Sequence, residues 1–233
     1  MDIYNESNTL ELEKDCGDNL EIDKEIETKL FEKGKLTTCK IITENGNGTG
    51  FFCIIPFKYE TIKMLFTNNH VLNKESIKIG NIIKCAYKKE IKIIEITKER
   101  FCNTNADLDY TCIQIFNDDK IEDFYEIENN KNPKDNYSNE DICLMQYPKG
   151  GPLTLKTGHL KKIDEEEIQH SVTTFKGSSG SPIILLLRDY KIIGIHKAAK
   201  NSLNLNIGTS MKYIIQDINK KIIPLIEVKW ELR

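Results

Sequence analysis

The sequence predicts an all-β chain folded in two halves, and three observations carry that expectation. Short β-branched runs broken by turn residues recur from Leu36 onward, the texture of a barrel or sandwich. One stretch, Asn117 to Asp141, is dense in charge, Asn and turn formers and separates two such strand-rich regions. A chain of 233 residues, 39% of them hydrophobic, suffices for one well-formed core or for two small barrels sharing a cleft.

The elements follow in order. Residues 1–33 are acidic, with weak helical spacing through Leu20, Ile22, Ile26 and Leu30, and read as an arm or short helix outside the main core. A first unit over 34–116 holds expected strands at Cys39–Thr43, Phe51–Ile55, Ile62–Thr67, Ile82–Cys85, Ile91–Ile96 and Tyr110–Ile115. Residues 117–141 read as a surface connection. A second unit over 142–208 holds strands at Ile142–Gln146, Leu153–Leu155, Thr157–Leu160, Pro182–Leu187 and Lys191–His196, the last two joined as a hairpin by Arg188-Asp-Tyr190. In the final segment, 209–233, apolar residues at helical spacing predict a helix over Thr209–Ile218. The tail from Ile222 to Arg233 reads as a further strand.

Composition excludes several classes. Thirty-three basic against 36 acidic residues leave a net charge of −3, and no Lys/Arg block is long enough to read as a phosphate-binding stripe. Neither a nucleic-acid nor a membrane partner is expected: the longest apolar runs fall far short of the ~20 residues that span a bilayer. The N-terminus lacks the basic start and apolar stretch of a secretory signal. The seven cysteines are odd in number and form no CxxC pair, which suits reduced core thiols rather than a disulfide framework or a zinc site. A cytoplasmic or nuclear protein without cofactor or metal is the expectation.

Three segments carry chemistry. Lys176-Gly-Ser-Ser-Gly-Ser-Pro182 lies between strand-like runs, where a flexible linker is out of place. Glycines beside a serine permit the tight turn that aims two N–H groups at one point, which is what a nucleophile needs for its oxyanion. Thr67-Asn-Asn-His70 directly follows an apolar strand, and a histidine fixed at a strand end suits a general base. Asp107-Leu-Asp109 opens the strand Tyr110–Ile115; a carboxylate there is costly unless paired, and orienting a histidine is such a pairing. His and Asp fall in the first half and Ser in the second, so a cleft between the halves would join them.

In these segments the chain resembles trypsin-like proteases of the chymotrypsin superfamily, in their compact intracellular and bacterial branches. Gly48-Thr-Gly50-Phe-Phe is similar to the family's GxGF strand, TNNHVL to its TNxHV, DYTCIQI to its D-x-A-x-[IL]-x-[IL], and GSSGSP to its GxSGxP. The resemblance runs from about residue 36 to 218. It implies two six-stranded antiparallel β-barrels followed by a C-terminal helix. It also implies a triad of Ser179 as nucleophile, His70 as base and Asp109 as orienting acid, with Asp107 as the fallback. Gly177 and Ser179 would supply the oxyanion-hole N–H groups. Val71 stands where secreted members carry a Cys, and no IVGG-like sequence offers a zymogen-type N-terminus. Both departures fit an intracellular enzyme.

Thr174 and His196 occupy positions similar to those with which glutamyl endopeptidases and picornavirus-type proteases bind a substrate Glu or Gln. No acidic residue lies between His170 and Ser179 to attract Lys or Arg. Lys197 and Ala198 would present a strand edge to the substrate backbone. His159 and His170 show no partner pattern and read as structural or surface residues. The expected function is therefore a serine endopeptidase acting on proteins or peptides, with a preference for cleavage after Glu or Gln. The alternative is a catalytically silent domain of the same fold that binds peptides.

Overall fold

A computed structural model describes residues 20–57, 60–128, 137, 139–186, 189–200 and 204–231. Most of the acidic N-terminal stretch, Cys16 with it, lies outside the described residues.

The first half is one curled sheet. Its strands are β1 (Thr38–Thr43), β2 (Gly46–Phe57), β3 (Glu60–Thr67), β4 (Ile82–Tyr87), β5 (Glu90–Glu95), β6 (Cys102–Asn105) and β7 (Tyr110–Gln114). They run in the order β5-β4-β1-β2-β3-β7-β6. The second half is a closed six-stranded barrel. It comprises β9 (Asp141–Gln146), β10 (Thr154–Asp164), β11 (Glu167–His170), β12 (Pro182–Leu185), β13 (Ile192–Lys200) and β14 (Leu205–Ser210), ordered β10-β11-β14-β13-β12-β9. The double-barrel architecture is present, with the first half left open: β5 and β6 are its edges, and Ile91 and Ile93 on β5 face water.

Period-two alternation explains how the halves join, because successive strand residues face opposite ways. Phe52 enters the first half's own core with Leu65, Ile83, Cys85 and Ile94. Its neighbour Phe51 faces the other way, into a shared core with Phe66, Cys143, Met145, Ile184 and Ile195. On β9 the parity repeats: Ile142 and Leu144 fill the closed barrel, while Cys143 and Met145 face the seam. The seam core is thus built from the outward faces of both halves.

Three segments differ from the sequence reading, all toward the seam. Helix α1 runs from Lys24 to Thr37, capped by Asp23, whose carboxylate accepts from the Glu25 N–H at 2.7 Å. It is not outside the core: Leu30 is buried in the seam, and Gly34 lies so close that a Cβ there would meet the Met145 side chain. The 117–141 connection is not wholly a surface link either. Within it, β8 (Tyr125–Glu126) pairs parallel to β2, Ile127 bridges to Ile192, and Tyr125 is buried. Residues 129–136 fall outside the described residues. Finally, α2 spans Met211–Glu231, so the tail expected as a strand is helix. Met211, Ile214, Ile218 and Ile222 are buried in the seam. That three- and four-residue spacing carries the helical stripe past Ile218, where the β-branched pair Ile222-Ile223 and Pro224 read locally as its end.

Five cysteines (Cys39, Cys53, Cys85, Cys112 and Cys143) are buried free thiols, and Cys102 is partly buried. Burial pushes the Cys102 thiol up to about 11. Among the described residues no helix is long and apolar enough to cross a membrane, and no group of three or more His, Cys, Asp or Glu converges as a metal cluster would.

Candidate active site

His70 sits on the turn that leaves β3. Its ring Nδ1 lies 2.8 Å from Asp109 Oδ2, and its backbone N–H donates to Asp109 Oδ1 at 3.0 Å. Both carboxylate oxygens are therefore engaged by one residue. Asn68, two positions earlier, donates its side-chain amide to the Asp109 carbonyl at 2.8 Å. Asp109 is 6% exposed and closes a turn begun by Asn105, whose side chain accepts from the N–H groups of Asp107 and Leu108. Asp107 itself is exposed, so Asp109 is the carboxylate that faces the imidazole. Asp109 adopts φ +49, a left-handed conformation that costs a non-glycine residue about 1 kcal/mol and is kept only where surroundings hold it.

Ser179 lies on a tight turn between Phe175 and β12. The turn is braced internally: Ser178 N–H donates to the Phe175 carbonyl at 2.8 Å, Phe175 N–H donates to Ser178 Oγ at 3.0 Å, and Ser181 Oγ donates to the Ser178 carbonyl at 2.6 Å. Gly177 and Gly180 have φ of +96 and +88, a region open to glycine and strained for other residues. The reason for Gly180 is also steric. A Cβ there would lie 2.1 Å from the Thr49 carbonyl oxygen and 2.5 Å from Thr67 Oγ1.

That close approach is how the serine turn reaches the histidine turn, since Thr67 is three residues before His70. Thr49 on β2 stitches the two together. Its N–H donates to the Ser179 carbonyl at 2.8 Å, its Oγ1 donates to the Gly177 carbonyl at 2.8 Å and accepts from Tyr147 N–H at 3.0 Å, and its own carbonyl accepts from Thr67 Oγ1 at 2.8 Å. The sequence reading did not single out Thr49, although its place inside the Gly48-Thr-Gly50 motif was a signal. On the other side, Ser179 Oγ approaches the Lys197 carbonyl at 3.4 Å, and Gly180 N–H donates to the His196 carbonyl at 3.0 Å. Lys197 and Ala198 lie on β13, where the pairing with β14 shifts register between His196 and Ala198.

Thr174 and His196 are both fully buried. Among the described residues Thr174 Oγ1 has no hydrogen-bond partner. His170, read from sequence as structural or surface without a partner, is fully buried with its Nε2 3.2 Å from His196 Nδ1. Burial holds the His170 imidazole well below its usual range, and His196 acts in the same direction. The pair arises because β11 and β13 both flank β14, with His170 opposite Asn206 and His196 opposite Gly208. No linear motif announces it. His159 also has a partner: its Nδ1 lies 2.9 Å from Asp141 Oδ1.

The family model for the trypsin-like peptidase domain matches residues 48–195. No curated protein matches the sequence significantly. Among solved structures, the chain is similar to a serine endoprotease from Yersinia pestis at 13% identity and a TM-score of 0.65, over 86% of this chain and 67% of that one. It is similar to Deg5 at 19% identity and a TM-score of 0.63, over 84% and 94%. It is also similar to a human pathogenic astrovirus serine protease at 19% identity and a TM-score of 0.53, over 76% and 90%. At these identities the solved structures support the fold.

Proposed function

The chain belongs to the trypsin-like peptidase family and is a serine-type endopeptidase, and from that premise we propose that Ser179, His70 and Asp109 form its catalytic triad. The observation that carries the proposal is the double engagement of the buried Asp109 carboxylate by His70, through the ring at 2.8 Å and the main chain at 3.0 Å. Such a contact fixes the ring's rotation and keeps the Nδ1 proton toward the acid, leaving Nε2 as the base.

The reaction follows from that assignment. Ser179 Oγ attacks the substrate carbonyl carbon while His70 Nε2 accepts the hydroxyl proton. Negative charge gathers on the former carbonyl oxygen, where the N–H groups of Gly177 and Ser179 stabilise it. Collapse breaks the C–N bond as His70 returns the proton to the leaving amine. Water then attacks the acyl-enzyme with His70 again as base and releases the acid product. The segment of β13 at Lys197 and Ala198 pairs with the substrate main chain.

We assign Thr174 and His196 to binding the side chain that precedes the scissile bond, and that side chain to Glu or Gln. Support comes from the fully buried Thr174 hydroxyl, which has no partner among the described residues. A buried polar group left so costs about 1–3 kcal/mol until a ligand satisfies it. The His170–His196 contact points the same way. We assign the proton of that contact to His170 Nε2, 3.2 Å from His196 Nδ1. His196 then accepts at Nδ1 and carries its proton on Nε2, a donor suited to a carboxyl or carboxamide oxygen.

Two measurements test this. A fluorophosphonate probe should label the wild type at Ser179 and leave Ser179→Ala unlabelled and inactive; hydrolysis surviving in that variant rejects the triad, and an unlabelled, inactive wild type favours a silent peptide-binding domain. Digestion of a mixed peptide library should show cleavage after Glu or Gln. Preference for Arg, or equal rates after every residue, rejects the specificity assignment while leaving the triad standing.

A further inference from the structure

We propose that the C-terminal segment is a positioning clamp for the acid of the triad, acting through Thr209 on β14 and Asp217 on α2. The proposal rests on the triad reading above. Asp109 is held in a left-handed conformation, and its usefulness depends on aiming two oxygens at His70. What holds its two chain neighbours therefore decides where the carboxylate points.

Both neighbours are gripped by the same stretch of chain. On one side, Thr209 Oγ1 donates to the Leu108 carbonyl at 2.7 Å. On the other, Tyr110 Oη donates to Asp217 Oδ2 at 2.6 Å. The Asp217 end is itself fixed: Asn103 donates its side-chain amide to Tyr110 Oη and to Asp217 Oδ2, and Lys221, one helical turn on, donates to Asp217 Oδ2 at 2.9 Å and to Asn103 Oδ1 at 3.0 Å. Thus a residue of the first half is clasped on both flanks by the last strand of the second half and the helix that follows it.

The protonation states suit a fixed clamp. Burial, with Cys112 and Asp217 adding to it, raises the Tyr110 phenol far above its ordinary range, so Tyr110 remains a donor. Burial pushes the Asp217 carboxyl up, but hydrogen bonds from Tyr110, Lys221 and Asn105 outweigh it and hold the group below its usual value, so it stays an anion. A phenol donating to a carboxylate is a charge-assisted bond, shorter and stronger than a neutral one. Thr209 bonds to Leu108, Asp217 to Tyr110, and Lys221 to Asp217 and Asn103, so their effect on chemistry runs through Leu108 and Tyr110.

The test uses the full chain with Tyr110→Phe, Asp217→Ala, Thr209→Val and Thr209→Ser. Tyr110→Phe keeps the ring and loses only the hydroxyl, so it serves if Asp217→Ala fails to fold. Steady-state kinetics on a peptide substrate are read beside thermal melts and the downfield proton resonance of His70 Nδ1–H bound to Asp109. The clamp predicts that Tyr110→Phe and Thr209→Val lower kcat about 10- to 100-fold with KM nearly unchanged, the range expected when a catalytic group is displaced by an ångström or so. It also predicts that the downfield resonance shifts or broadens in protein still folded at the assay temperature, and that Thr209→Ser restores both. Variants that melt earlier yet keep kcat and an unmoved resonance overturn the proposal and leave these residues a purely structural role. A wild type that lacks both the downfield resonance and Ser179 labelling removes the triad reading and the clamp with it, an outcome distinct from the previous one.

Discussion

Each half of the molecule carries a histidine against an aspartate, and the two pairs are nearly identical in contact distance. His70 lies 2.8 Å from Asp109 and His159 lies 2.9 Å from Asp141, and the two imidazoles are equally exposed at 31%. The carboxylates are not alike: the Asp109 side chain is 9% exposed and that of Asp141 36%. Asp109 closes a left-handed turn and receives a second bond from the His70 main chain. Asp141 and His159 are plain cross-strand neighbours on β9 and β10. A serine stands near the second pair as well, but Ser171 Oγ accepts from the His159 backbone N–H at 3.0 Å. An imidazole–carboxylate contact is therefore easy to make and says little alone. What separates the pairs is a buried acid with both oxygens in use, and a seam that packs the glycine-flanked turn of Ser179 against Thr49 and Thr67.

The comparison breaks most visibly if the histidines prove interchangeable. His70→Ala should lower kcat/KM by about 10⁴ or more, while His159→Ala leaves it within about twofold; comparable losses would mean the chemistry has been put in the wrong half. The acids sharpen the point. Asp109→Asn should cost about 10³- to 10⁴-fold in kcat by upsetting the His70 tautomer, whereas Asp141→Asn should leave kcat unchanged and cost under about 1 kcal/mol, as exposed ion pairs do. Gly180→Ala probes the seam: the added methyl meets the Thr49 carbonyl at a strained φ, and chemical denaturation should show a loss of about 1–3 kcal/mol with reduced Ser179 labelling. The smallest effect concerns His170. Its pKa is depressed in the folded chain, so its stabilising contribution is complete above the unfolded value of about 6.5 and is lost as pH falls toward the folded one. Below about pH 6.5 the wild type should lose stability faster than His170→Gln, by no more than about 1.4 kcal/mol per pH unit; parallel curves would refute the burial argument.

Strand texture and the three chemical segments were legible because they are local. Thr67-Asn-Asn-His70 and Gly177-Ser-Ser179-Gly sit beside apolar runs, and the period-two pattern of Ile83, Cys85 and Tyr87 marks one buried face. What escaped depends on contacts between segments distant in the chain. β6 (Cys102–Asn105) and β11 (Glu167–His170) are polar strands whose burial is decided by their neighbours. The first half stays an open sheet because of which strands pair, which composition does not record. The helical stripe of α2 was cut short in reading by Pro224 and its β-branched flank, and Leu30 looked solvent-facing in so acidic a segment. His170 and Thr49 are single residues whose meaning appears only when a second strand or the other half is laid against them.

Closure of the second barrel has a practical consequence for anyone producing this domain in pieces. The family match ends at Ile195, yet β14 lies beyond that residue and is the strand that joins β11 to β13. A fragment trimmed to residues 48–195 would also lack β1, exposing the ladder groups of β2 and β4. Unpaired strand borders of that kind template intermolecular association, so such a fragment should precipitate. A tractable recombinant piece runs from before Asp23, which caps α1, through the end of α2.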